Sequence, residues 1–158
     1  MLRLYFMRHG ETVWNTERRY QGMTDIELSE EGLRQAECAA KRFKNIKIDK
    51  IYASPLKRAM KTAEKIAAEK GLEIISEDDF REIHFGEWEG KTVPELTEKY
   101  GESYTNFIRE PHKYGFPGEG SVENVINRIK PGIDRLIAEE KGNVLIVSHG
   151  GRIRLMIM

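Results

Sequence analysis

Two short apolar runs near opposite ends of the chain stop on the same dipeptide. Leu2–Met7 runs into Arg8-His9-Gly10, and Asn143–Ser148 runs into His149-Gly150. A run of that length, closed by a polar turn, reads as a buried strand. Ile48–Ala53 and Leu72–Ile75 have the same character, and helical patterns lie between the runs. Ser29 is placed to cap a segment with Leu33, Ala36, Ala40 and Phe43 at helical spacing. Ser54-Pro55 reads as a cap with proline at the first helical position, opening a helix that Gly71 stops after Lys70. Pro94–Tyr100 reads as a short helix. Tyr104–Gly120, rich in aromatics, proline and glycine, reads as a loop-rich excursion. Val122–Lys141 is a further helix, bent at Pro131 or restarting there, and Gly151–Met158 opens a last one.

Strands alternating with helices specify an α/β fold, a three-layer sandwich with a mostly parallel central sheet flanked by helices. The 158 residues suffice for one hydrophobic core, and no repeat or linker divides them, so 1–158 is read as a single domain. In such sheets ligands bind beyond the carboxyl ends of the strands. Three strands deliver suggestive residues there: Arg8 and His9, then Ser54 with Arg58 in the first turn of the next helix, then His149.

Each has an ordinary reading. A histidine after a strand is usually a loop or cap residue, and an arginine in a first helical turn is usually a solvated charge that fits the helix dipole poorly. One anionic ligand would explain all four. Arginine's planar fork grips two phosphate oxygens, phosphoryl transfer depends on a cationic cradle, and a neutral imidazole can carry the group covalently. Arg8 beside His9 favours the neutral imidazole, and Gly10, Gly150 and Gly151 would let backbone approach a phosphate. A leaving alkoxide also needs an acid; composition does not choose among Glu82, Glu87 and Glu89.

Lys plus Arg and Asp plus Glu number 26 each, which gives no field to draw nucleic acid or an anionic membrane. The histidines His9, His84, His112 and His149 are scattered without cysteine pairs, so neither a metal site nor a cofactor is expected. The lone Cys38 excludes an internal disulfide, and no apolar stretch has the length of a membrane span or a signal core. A cytoplasmic setting is the expectation.

Arg8-His9-Gly10-Glu11-Thr12, with Trp14-Asn15, resembles the signature of the histidine phosphatase superfamily, the phosphoglycerate mutase-like proteins. Gln21-Gly22, Ser54-Pro55-Leu56 with Arg58-Ala59, Glu82 with Phe85-Gly86, and Ser148-His149-Gly150-Gly151 resemble its later blocks, in order. The resemblance implies that His9 is the nucleophile and Glu82 the proton donor. It implies that Arg8, Asn15, Arg58 and His149 hold the phosphoryl oxygens, with Gln21 and Gly22 near the substrate and Glu87 and Glu89 structural or lid residues. The expected ligand is a small phosphorylated metabolite. Mutases of the superfamily carry a long insertion for which this chain has no room, so hydrolysis is expected over phosphoryl transfer between alcohols or inert ligand binding. Segments of the excursion are similar to broad-specificity phosphatases and to α-ribazole phosphatases. Chains of the family continue past the last His-Gly-Gly through a full helix and a strand. Here the sequence stops within that helix, so the expectation is an incomplete chain, or a domain that a partner subunit completes, as in a homodimer.

Overall fold

The computed structural model describes residues 1–157. Its parallel sheet has four strands, β1 (Leu2–Arg8), β2 (Lys50–Ala53), β3 (Ile74–Ser76) and β4 (Gly142–Ser148), in the order β1-β4-β2-β3. The last strand is inserted between the first two. Arg8 is level with Ser148, and Ala53 with Val147, so β1, β4 and β2 end together.

The connections fix the layers. From β1 through α2 (Glu30–Phe43) to β2, and through α3 (Lys57–Lys70) to β3, the chain steps in one direction; through α6 (Val122–Glu139) it steps back to β4. Right-handed crossovers then place α2 and α3 on one face and α6 on the other. Strand alternation divides the core accordingly. Leu145 and Val147 pack with Ala59, Ala63 and Ile66, whereas Val144 and Ile146 pack with Phe80 and Leu136. Ile51, Leu145 and Ile146 are fully buried, each worth about 1.5–3 kcal/mol of transfer free energy.

The helix ends show which signals were read well. Ser29 caps α2 by accepting from Gly32 N, and Gly71 ends α3 in the left-handed region at φ 64°. The start of α3 differs from the sequence reading. Ser54-Pro55 lies ahead of the helix, Leu56 is the cap residue without a side-chain bond, and Asp25 Oδ1 accepts from Lys57 N at 2.8 Å instead. Pro131 neither ends nor restarts α6, which runs through it; Gly132 beside it lets the helix press on Asp79, where a Cβ would come within 2.7 Å.

The stretch from Tyr104 to Gly120 is not all loop. Its first part belongs to α5 (Glu102–Arg109), which follows α4 (Val93–Tyr100). Tyr104 and Phe107, loop residues by their proline- and glycine-rich surroundings, sit instead at helical spacing and join Trp88, Leu96, Phe116, Val125 and Ile129 in a second core. A short α1 (Val13–Thr16) follows the His9 turn and α7 (Gly150–Met156) follows β4. Met158, within the last helix as read from sequence, lies outside the described residues. No described helix is long and apolar enough to cross a membrane.

Candidate active site

The sheet order brings the two His-Gly turns side by side. His9 follows β1, with its N–H on Ser148 O at 3.0 Å, and His149 follows the adjacent β4; their ring centroids are 5.1 Å apart. The rings are anchored through different nitrogens. His9 Nδ1 lies 2.6 Å from Gly10 O. A carbonyl only accepts, so Nδ1 carries the proton and Nε2 keeps its lone pair free. His149 instead uses Nε2, 2.8 Å from Ser54 Oγ at the end of β2, and its buried Nδ1 has no partner among the described residues. Ser54 Oγ already accepts from Leu56 N at 3.3 Å. Where Ser54 gives its own hydrogen to Nε2, His149 carries its proton on Nδ1.

The peptide after His9 is fixed from below. Gly10 N donates to Thr62 Oγ1 at 3.0 Å, and Thr62 donates to Arg58 O at 2.7 Å one turn earlier in α3. Gly10 is glycine because a Cβ there would sit 2.4 Å from Gly32 O of α2, and Gly151 because its Cβ would come within 3.0 Å of Glu82 Oε1. In both places the space a side chain would take is occupied by protein, by backbone at Gly10 and by the Glu82 side chain at Gly151. The nearest atoms to a Cβ at Gly150 belong to the flexible Arg8 side chain, at 3.4 Å or more.

Arg58 is fully buried rather than solvated. Nη2 donates to Gly22 O at 2.6 Å and Nη1 to Thr24 O at 2.8 Å, while Nε has no partner among the described residues. Glu82 is half-buried, its carboxylate set against the start of α7. Its Oε1 accepts from Ile83 N and Arg152 N at 3.0 Å, and Oε2 from Gly151 N at 3.4 Å. Arg8, His9, Glu11, Asn15 and Gln35 line a cavity of about 480 Å3 open to solvent. Asn15 Oδ1 is taken by Thr12 N at 3.0 Å, and Gln21 Oε1 by the Thr12 hydroxyl at 2.8 Å. The structure thus brings Arg8, His9 and Asn15 to one cavity, sets His149 against His9, and holds Glu82 and Arg58 behind them. Gly22 is drawn to Arg58. His84 is half-exposed beside the site and His112 is in an exposed turn.

Residues 4–158 match the model of the histidine phosphatase superfamily, branch 1. Phosphoserine phosphatase 1 of Hydrogenobacter thermophilus is 41% identical over 157 residues, covering 99% of this chain and 74% of that protein. Phosphoglycerate mutase-like protein 4 of Arabidopsis thaliana is 40% identical over 152 residues, covering 94% and 66%. The solved structure of Bacillus stearothermophilus YhfR superposes with a TM-score of 0.90 at 34% identity, covering 99% of this chain and 78% of that one. The chain belongs to the histidine phosphatase superfamily.

Phosphoryl transfer through a phosphohistidine is the general mechanism of that superfamily, and the site's electrostatics suit it. Burial is the main cause that lowers His9 to about 3; the charges of Arg58 and then Arg8 push the same way, against the Gly10 bond. The sequence named only Arg8, the weakest of these. Burial, with Arg58 beside it, also holds His149 well below the usual imidazole range. The Glu82 carboxyl is raised by burial, opposed by its backbone donors and by Arg58. The site thus holds a neutral imidazole at His9 and a carboxyl at Glu82 biased toward its acid form. Sequence reasoning marks Ser54 as a helix cap and Thr12 as part of the His9 motif, but what these two and Thr62 support is invisible until the fold gives each hydroxyl a partner. Among the described residues no three His, Cys, Asp or Glu side chains are grouped to hold a metal ion.

Proposed function

We propose that this histidine phosphatase hydrolyses a small phosphorylated metabolite, with His9 as nucleophile and Glu82 as general acid and then general base. The His9 Nε2 lone pair attacks phosphorus in line, and the bond to the leaving oxygen breaks as the Glu82 carboxyl gives it a proton. Water then attacks the phosphohistidine and gives its proton to the Glu82 carboxylate. The P–N bond breaks, and its electron pair returns to Nε2. The Nδ1 proton stays on Nδ1 throughout, donated to Gly10 O.

In this reading Arg8, Arg58 Nε, His149 Nδ1–H and the Asn15 amide hydrogens meet the phosphoryl oxygens; Gln21 and Gly22 border the substrate. The observation that carries it is the tautomer the Gly10 carbonyl imposes on His9, a bare Nε2 beside arginines and a half-buried acid. The cavity's opening to solvent supports water as the acceptor over a second alcohol. Phosphoserine, named for the Hydrogenobacter relative, is the first candidate to assay.

The test is phosphate release from an aryl phosphate in the presence of EDTA, comparing the wild type with His9→Ala. Turnover that survives EDTA and disappears in the variant is expected. Turnover retained by His9→Ala would remove His9 from the nucleophile's role.

A further inference from the structure

Glu89 is a buried carboxylate that the proposed chemistry does not use; its side chain is 10% exposed. It nevertheless accepts four donors. Oε1 takes Phe85 N at 3.0 Å and Met23 N at 3.1 Å, while Oε2 takes Thr24 N at 2.9 Å and the Thr24 hydroxyl. Three of the four come from the loop around Gly22–Thr24, far away in sequence. That loop's carbonyls face the other way: Gly22 O and Thr24 O accept from the two terminal nitrogens of Arg58. One short stretch of backbone is therefore held on its N–H side by a carboxylate and on its C=O side by a guanidinium.

The chain is shaped for this arrangement. Gly22 lies in the left-handed region at φ 54°, and a Cβ there would stand 2.1 Å from Glu89 Oε1. Asp25, next along, caps α3 at the residue before Arg58. The consequence for Arg58 is electrostatic as well as geometric. A carboxylate bound directly to the fork would neutralise the charge that a phosphoryl group needs. Two neutral carbonyls fix the fork, with Glu82, Asp25 and Glu89 close enough to act on its charge but none hydrogen-bonded to it among the described residues, and they fix it only while the loop itself stays in place. Resting on the reading that Arg58 meets the phosphoryl group, we propose that Glu89 is the positioning residue for Arg58, acting through the Gly22–Thr24 loop. The sequence had grouped Glu89 with structural or lid residues. Its place is a clamp beneath the phosphate site.

The experiment is a double-mutant cycle read by competitive inhibition with inorganic phosphate and by kcat and KM for an aryl phosphate. Glu89→Gln puts an amide where only acceptors fit, and is expected to weaken phosphate by roughly ten- to a hundredfold, since small misplacements of a binding group cost that much. Thr24→Val deletes a single bond to the carboxylate and serves if Glu89→Gln fails to melt cooperatively; it should weaken phosphate by roughly threefold to tenfold. In an Arg58→Ala background the same changes should each cost less than about twofold, because coupled residues are not additive. A purely structural role would lower the melting temperature and leave phosphate affinity and kcat of the folded enzyme unchanged, which overturns the inference. Full and equal losses in both backgrounds overturn it too. If Arg58→Ala alone leaves phosphate affinity intact, the reading of Arg58 has failed, and the clamp has no catalytic consequence.

Discussion

The two His-Gly turns are the same dipeptide at the ends of neighbouring strands, and the protein uses them differently. His9 hands Nδ1 to the carbonyl of its own glycine and keeps Nε2 free, whereas His149 spends Nε2 on Ser54 and keeps a buried Nδ1. Gly10 is wedged against the backbone of Gly32, while Gly150 has room. An imidazole acquires a role from the partner of its other nitrogen, and a glycine from what occupies its missing side chain. In the proposed mechanism identical residues thus serve as nucleophile in one turn and hydrogen-bond donor in the other.

Substitutions can break that contrast. The largest effect is expected for His9→Ala, which should lower kcat by at least about three orders of magnitude, as loss of a nucleophile does. His149→Ala should cost about 10²–10³ in kcat by removing one donor from the transferring group. A larger loss at His149 than at His9 would reverse the assignment. Ser54→Ala leaves His149 in place but frees its tautomer, and roughly tenfold in kcat/KM is expected, with little change for a His149→Ala background. On stability, Gly10→Ala should cost about 1–3 kcal/mol in urea unfolding, because its Cβ meets backbone that cannot swing away. Gly150→Ala should fall within about 0.5 kcal/mol of the wild type.

Acid sharpens the same contrast thermodynamically. Burial lowers His9 from the ordinary 6.5 to about 3 in the folded protein, so as pH falls below 6.5 the unfolded chain binds the proton first. The stability held by a neutral His9 is complete above that value and is lost progressively toward 3. The urea midpoint should fall across this window more steeply for the wild type than for His9→Gln. Equal slopes would mean that His9 is not buried neutral.

Much of this was legible in the sequence because it is local. The apolar runs ending at Arg8 and Ser148, the Ser29 cap and the Gly71 stop depend on near neighbours, and they appear where expected. The α/β order then forced His9, Arg58 and His149 to one edge. What could not be read was what one segment does for another. Ser54 resembled a helix cap and serves His149 instead; Asp25 took over the capping from a loop distant in sequence. The aromatics of α5 looked like loop because proline and glycine crowd the residues after them, yet Tyr104 and Phe107 pack on Trp88. Glu82, Glu87 and Glu89 were equivalent by composition. The family resemblance singles out Glu82, and the fold shows what each carboxylate holds: Glu82 the α7 backbone, Glu89 the Gly22–Thr24 loop.

The most direct test of the central claim is to stop turnover of an aryl phosphate in alkali, where phosphohistidine survives, and map the phosphorylated peptide by mass spectrometry. The account predicts one phosphoryl group on His9, absent from His9→Ala and present in His149→Ala at a slower rate of formation. A phosphoryl group on His149, or hydrolysis with none on either histidine, would contradict it.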